Sequence, residues 1–208
     1  MRDYKLYYEG LEAPLNYVKI FNEISLPVAM RKGCSDYEIS RLIKRPYFLS
    51  SLAEDYSCTN IAEVGTAEGL QFYSFAESLS STKGKVWSCD VRDVRNTAHS
   101  DRFPQTCHFV RGTSKTLSSE LKKQEAKIDM FFIDGGHNKG DVVKDISNLK
   151  EFQSESPIWV FDDYDTRFGI YIYEEIRGIE NTYQETVRIN QSTKDKPNHM
   201  LIAWEKMK

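Results

Sequence analysis

Five carboxylates and one histidine stand where chemistry could use them. Glu63, Asp90, Asp134 and the pair Asp162-Asp163 each fall at or beside the end of a short apolar run, and His137 lies three residues past Asp134. Glu63 opens the turn Glu63-Val64-Gly65-Thr66-Ala67-Glu68-Gly69, an E-x-G-x-x-x-G pattern. Gly65 permits a tight turn and, lacking a side chain, close approach of a ligand to the backbone. Asp90 follows Gly65 by 25 residues, the spacing at which an acid accepts hydrogen bonds from both hydroxyls of a ribose. The second glycine that admits a pyrophosphate is replaced by Ala67, and Glu68 near the helix start repels phosphate. The pattern therefore favours a cofactor without a pyrophosphate, and a cationic one tolerates the surrounding carboxylates. S-adenosylmethionine meets both conditions.

These residues need a frame that brings them together. From about residue 59 the chain alternates strand and helix signals. Strands are expected at 60–64, 85–89, 108–111, 128–133 and 158–161, and helices at 70–79, 139–150 and from 171 to 176. Two late strands, 185–189 and 200–204, read as a hairpin. The expected fold is α/β: Rossmann-like and doubly wound, with a mostly parallel seven-stranded sheet and an antiparallel edge hairpin. A parallel sheet sets Glu63, Asp90, Gly112, Asp134 and Asp162 on one rim. Residues 1–57 are aromatic and charged and read as a helical N-terminal cap. Ser35 and Glu38 form a capping sequence there, Ile39, Leu42 and Ile43 follow at helical spacing, and Pro46 interrupts. Residues 58–208 form the cofactor-binding domain, the whole being a single domain.

Bulk properties exclude other classes. The net charge of −3 and the pI near 5.9 carry no nucleic-acid footprint. Cys34, Cys58, Cys89 and Cys107 lack C-x-x-C spacing, which points to a reducing compartment. No apolar run approaches a membrane span and the N-terminus lacks a signal-peptide core, so a cytoplasmic protein is expected.

With Asp90 and the segment Gly112-Thr113-Ser114, the turn at residues 63–69 resembles the class I S-adenosylmethionine-dependent methyltransferases over about residues 60–170. The metal-dependent O-methyltransferase branch, of catechol and macrocin (sugar) type, is the most similar. The resemblance implies that Glu63, Gly65, Thr66, Ala67 and Gly69 form the cofactor turn. It also implies that Asp90 holds the ribose, that Val91 lies against the adenine, and that Gly112, Thr113 and Ser114 sit beside it. Asp134, Asp162 and Asp163 make a hard oxygen site suited to Mg²⁺, with Asp134 also touching the cofactor. His137 takes the place of the base, and Asp134 joins it as a catalytic residue. Tyr164 and Arg167 edge the acceptor pocket. The acceptor is a hydroxyl beside a second oxygen on a small molecule or sugar, and a homo-oligomer is compatible with the resemblance. Two readings stay open beside it: an NAD(P)-binding oxidoreductase, and a non-catalytic protein that kept the fold. Where the family carries a Pro-Gly-Gly turn before strand five, this chain has residues 152–157, Phe-Gln-Ser-Glu-Ser-Pro.

Overall fold

A computed structural model of the chain describes residues 10–136, 138–162, 182–189 and 198–205. Strands β1 (Asn60–Val64), β2 (Lys85–Asp90), β3 (Cys107–Arg111), β4 (Ile128–Ile133) and β5 (Gln153–Phe161) run parallel. β6 (Thr182–Ile189) and β7 (Asn198–Glu205) pair antiparallel, and β7 joins β5 antiparallel. The strand order is β3-β2-β1-β4-β5-β7-β6. The order reverses direction between β1 and β4, the place where an open α/β sheet leaves a crevice at its carboxyl end.

Both faces of the central strands β1, β2 and β4 and of the second half of β5 are buried, which is why these strands read as continuous apolar runs rather than alternating ones. On one face Ile61, Met130, Phe132 and Val160 share a core with helices α1 (Leu15–Ile24), α3 (Asp36–Asp55) and α4 (Leu70–Ser78). On the other, Val64, Phe131, Ile133 and Trp159 pack with α5 (Ser114–Lys123) and α6 (Lys139–Leu149). The short α2 (Leu26–Arg31) follows α1. Phe131 and Trp159, neighbours in register, stack with ring centroids 4.0 Å apart.

Five elements differ from the sequence expectation. Pro46 does not interrupt the N-terminal helix: α3 runs through it for 20 residues. A proline inside a helix costs about 3 kcal/mol, and complete burial of Phe48, Leu49 and Leu52 just beyond it offsets that cost. Helix α5 was not expected, since only Leu117 and Leu121 mark its buried stripe. β5 begins at Gln153, which pairs with Ile128 before the register shifts, so residues 153–157 form an irregular strand start in place of a turn. β6 and β7 are each longer than their apolar centres. The helix expected at 171–176 lies outside the described residues.

Gly65 carries the closest packing in the sheet. Its φ is +98°, and a Cβ there would collide with the main-chain carbonyl of Asp134 at the end of β4. The glycine is required by the neighbouring strand, whatever a ligand also needs. Gly65→Ala should destabilise the fold by about 3 kcal/mol or more, read as a lower urea midpoint. An unchanged midpoint would show that β1 and β4 do not approach this closely.

Candidate active site

The rim is built by extending the parallel ladder one residue beyond each strand. The amide of Gly112 donates to the Asp90 carbonyl at 2.9 Å, Gly65 to Cys89 at 2.9 Å, Asp134 to Val64 at 2.8 Å and Asp162 to Ile133 at 3.0 Å. These hydrogen bonds fix Gly65, Gly112, Asp134 and Asp162 just past their strands and pin Asp90 at the end of β2, so the side chains of Asp90, Asp134 and Asp162 share one edge. The Asp90 carboxylate is held further by the amides of Ala67 at 2.9 Å and Arg92 at 3.0 Å. Ala67 adopts a left-handed φ of +46°, part of what turns its N–H toward Asp90.

A cleft of about 870 Å³ opens over this edge. It is lined by Gly65, Ala67, Asp90, Val91, Gly112, Thr113, Ser114 and Asp134, all expected from the sequence, and by Asp141, Lys144, Asp145 and Asn148 of α6, which were not. Val91 is 60% exposed, an apolar side chain presented to the cleft. At the inner end Asn148 donates to Ser114 Oγ at 3.0 Å. Asp145 is buried beside them, and burial pushes its carboxyl up to about 6 despite the hydrogen bond from Ser114. The signal for Asp145 and Asn148 was their place on the buried side of a predicted helix, one turn apart, where polar residues are unusual.

Glu63 and Gly69 line neither this cleft nor the smaller one below. Glu63 is fully buried beneath the turn. Ser88 Oγ donates to its Oε2, and Thr66 Oγ1 bonds to Ser88 in turn. Its Oε1 has no hydrogen-bond partner among the described residues. Burial raises its carboxyl to about 8, with Asp134 and Asp90 adding to the rise and Ser88 and Arg45 opposing it. Gly69, at φ +94°, lies against the ring of Tyr73 at the start of α4.

A second cleft, of about 170 Å³, lies on the other side of the turn. Gly65, Thr66, Ala67, Glu68 and Asp134 meet Leu42, Arg45 and Pro46 of α3 there. Nothing in the sequence pattern marked Arg45. Its Nη2 donates to Asp134 Oδ2 at 2.8 Å and to Asp162 Oδ2 at 2.7 Å, bridging the ends of β4 and β5. Asp162 is almost buried, with its side chain 6% exposed. Its partner comes from 117 residues earlier in the chain, a distance that no local pattern spans.

At the Mg²⁺ site expected at Asp134, Asp162 and Asp163, a cation already stands against two of the three acids. The two described carboxylates both face a guanidinium, and among the described residues no group of three His, Cys, Asp or Glu side chains could hold a metal. Asp163, His137, Tyr164 and Arg167 lie outside the described residues. His99 and His108, read from the sequence as structural or solvated, stand apart from the rim. His99 is buried with Nε2 2.8 Å from Glu23 Oε2, and His108 stacks on Trp87.

Residues 62–164 match a family model described as a methyltransferase domain. No curated protein matches the chain in sequence. Among solved structures, an O-methyltransferase from Bacillus cereus in complex with SAH superposes with a TM-score of 0.71 at 15% identity, covering 97% of this chain and 96% of that one. The O-methyltransferase TomG from Streptomyces achromogenes, involved in tomaymycin synthesis and solved with SAM, gives 0.68 at 15% identity with all of both chains covered. The SAH-bound Podospora anserina methyltransferase PaMTH1 gives 0.63 at 12% identity, over 99% and 89%. Residues 62–164 thus match a methyltransferase domain, and the chain shares its α/β fold with these solved O-methyltransferases.

The raised carboxyl of Glu63 has a consequence for stability. The native state binds more protons than the unfolded chain between the ordinary carboxylate value of 4.5 and about 8. The stabilisation is complete below that window and is lost as the pH rises through it. Glu63→Gln removes the titration, so wild-type melting temperatures should fall from pH 6 to 9 relative to the variant. Parallel curves over that range would show that Glu63 is ionised in the folded protein.

Proposed function

We propose that the protein transfers the methyl group of S-adenosylmethionine to a hydroxyl oxygen of a small molecule, a sugar included. The observation that carries this reading is the large cleft at the carboxyl ends of β1, β2 and β3, with Asp90 fixed at its edge. The cleft's volume suits an adenosine-sized ligand, and its lining fits in kind. Asp90 offers acceptors to ribose hydroxyls, Val91 an apolar face to the base, and Gly112, Thr113 and Ser114 a close backbone wall. Asp145 and Asn148 would meet the polar edge of the base. Asp90, Asp134, Asp141 and Asp145 outnumber Lys115 and Lys144 along the lining, which favours a cationic ligand over a pyrophosphate. Thr66, together with Gly65 and Ala67, would bracket the methionine portion toward the small cleft.

When bound, the donor supplies a methyl group on a positively charged sulfur. The acceptor oxygen forms the new bond to carbon, the old carbon–sulfur pair stays on sulfur, and the hydroxyl proton leaves to a base. His137 is the proposed base, on its place three residues after Asp134, and Asp134 would orient the donor beside it. Tyr164 and Arg167 are proposed to edge the acceptor. The rate then comes mainly from holding oxygen and methyl in line. A second reading places Mg²⁺ on Asp134, Asp162 and Asp163, as the family resemblance implies, and requires Arg45 to leave both described carboxylates.

The reading extends to the frame. β6 and β7 complete a seven-stranded doubly wound sheet with an antiparallel edge, and residues 1–57 serve as the helical cap that delivers Arg45 to the rim of the domain at 58–208. Among the described residues no helix is long and apolar enough to cross a membrane. A cytoplasmic location, and a homo-oligomer, belong to this proposal as expectations.

Calorimetric titration with S-adenosylhomocysteine tests the cofactor. Wild type should bind, and Asp90→Ala should weaken binding about 10- to 100-fold, the equivalent of one hydrogen bond to a charged group. No binding to wild type would return the dinucleotide and non-catalytic readings. Once an acceptor is found, His137→Ala should lower turnover about 100-fold or more with little change in cofactor affinity. An unchanged rate would remove His137 as the base.

A further inference from the structure

Three side-chain clusters could carry further chemistry: the buried Glu63–Ser88–Thr66 chain, the Asp145–Ser114–Asn148 cluster, and the Arg45 bridge. The first has no opening to a ligand, and the second belongs to the cleft already described. The third stands where the family resemblance puts a metal.

We propose that Arg45 is the resident cation of the acceptor side of this site: its guanidinium, bridging Asp134 and Asp162, takes the place of a divalent metal ion. One nitrogen, Nη2, lies within 2.8 Å of Asp134 Oδ2 and 2.7 Å of Asp162 Oδ2. An ion ligated by the same two oxygens, at about 2.0–2.1 Å for Mg²⁺, falls in the gap that Nη2 fills. The two cations therefore exclude each other by overlap and by charge. A guanidinium stays protonated at every working pH, so the exclusion does not relax with pH.

Arg45 is also held from behind. It projects from a helix whose next turns, at Phe48, Leu49 and Leu52, are fully buried in the core shared with the sheet. Its Cζ lies 5.5 Å from the ring centroid of Phe132 on β4, within cation–π range. Withdrawing it would leave the nearly buried Asp162 carboxylate without this partner, which is costly unless another cation arrives. Arg45 lines the small cleft with Asp134, so a ligand entering there meets the guanidinium directly. The acceptor is accordingly positioned by an arginine, whose planar donors favour an oxygen-bearing or anionic group over a bare metal chelate. The last step rests on the proposed methyl transfer. The exclusion of a metal does not.

The test is Mn²⁺ titration of the full chain, followed by the electron paramagnetic resonance signal of free Mn²⁺, with S-adenosylhomocysteine present and absent. Wild type and Arg45→Lys should show no saturable site. Arg45→Gln, which keeps bulk and removes charge, should gain one, at least about tenfold tighter than any binding by wild type. Wild type binding Mn²⁺ as tightly as Arg45→Gln would overturn the proposal, and so would failure of a folded Arg45→Gln to gain a site. If Arg45→Gln does not fold, saturable binding by wild type alone overturns the proposal, and its absence in both wild type and Arg45→Lys supports it. Binding of S-adenosylhomocysteine to wild type is read in the same samples. Its loss would sink the methyltransferase reading and leave the Mn²⁺ result standing.

Discussion

The site depends on how closely the end of β4 lies against the end of β1. The amide of Asp134 donates to the Val64 carbonyl, and the Asp134 main chain occupies the space that a side chain at position 65 would need. This contact joins the glycine turn to the acidic edge. It sets Asp134 between the large cleft and the small one, since Asp134 lines both. The same one-residue extension of the ladder fixes Gly112 against β2 and Asp162 against β4. The geometry of the rim is therefore a property of sheet register. A slip of one residue would turn these side chains into the helical layers.

Beneath the turn the structure holds a carboxyl in a place hostile to charge. Glu63 is buried, accepts from Ser88, and has its proton retained to about pH 8. A neutral carboxyl can both accept and donate, so the Glu63–Ser88–Thr66 chain ties β1, β2 and the turn together without adding a charge to the rim. The resemblance assigned Glu63 to cofactor contact. Its burial gives it a different physical task, that of supporting the turn from below.

Where the sequence was legible, the reason was local. Residues 60–64 and 128–133 form apolar runs closed by a turn glycine or an acid, and β1 and β4 have those bounds. Gly65, Asp90 and Gly112 were legible because conformational freedom and charge at strand ends are properties of single residues. Helix α5 was not, because Leu117 and Leu121 are its only buried apolar pair and Ser, Thr, Lys and Glu fill the rest. Pro46 misled because its penalty is local, whereas the burial that outweighs it comes from the sheet. Arg45 could not be found at all: Lys44 and Arg45 look alike as a basic pair, and only the fold sends one of them toward carboxylates 89 and 117 residues away.

The charge balance of the rim joins these observations. Three acids at the ends of β2, β4 and β5 share one rim and repel one another. The chain answers each acid differently. It surrounds Asp90 with backbone amides, and it spans Asp134 and Asp162 with one guanidinium from the helical cap. Asp162 is thereby neutralised in its buried position, while Asp134, a quarter exposed, keeps an edge toward both clefts. Because Arg45 already places one full positive charge against both carboxylates, a second metal-like charge beside it meets repulsion, whereas the large cleft, lined by Asp90, Asp134, Asp141 and Asp145, favours a positively charged donor.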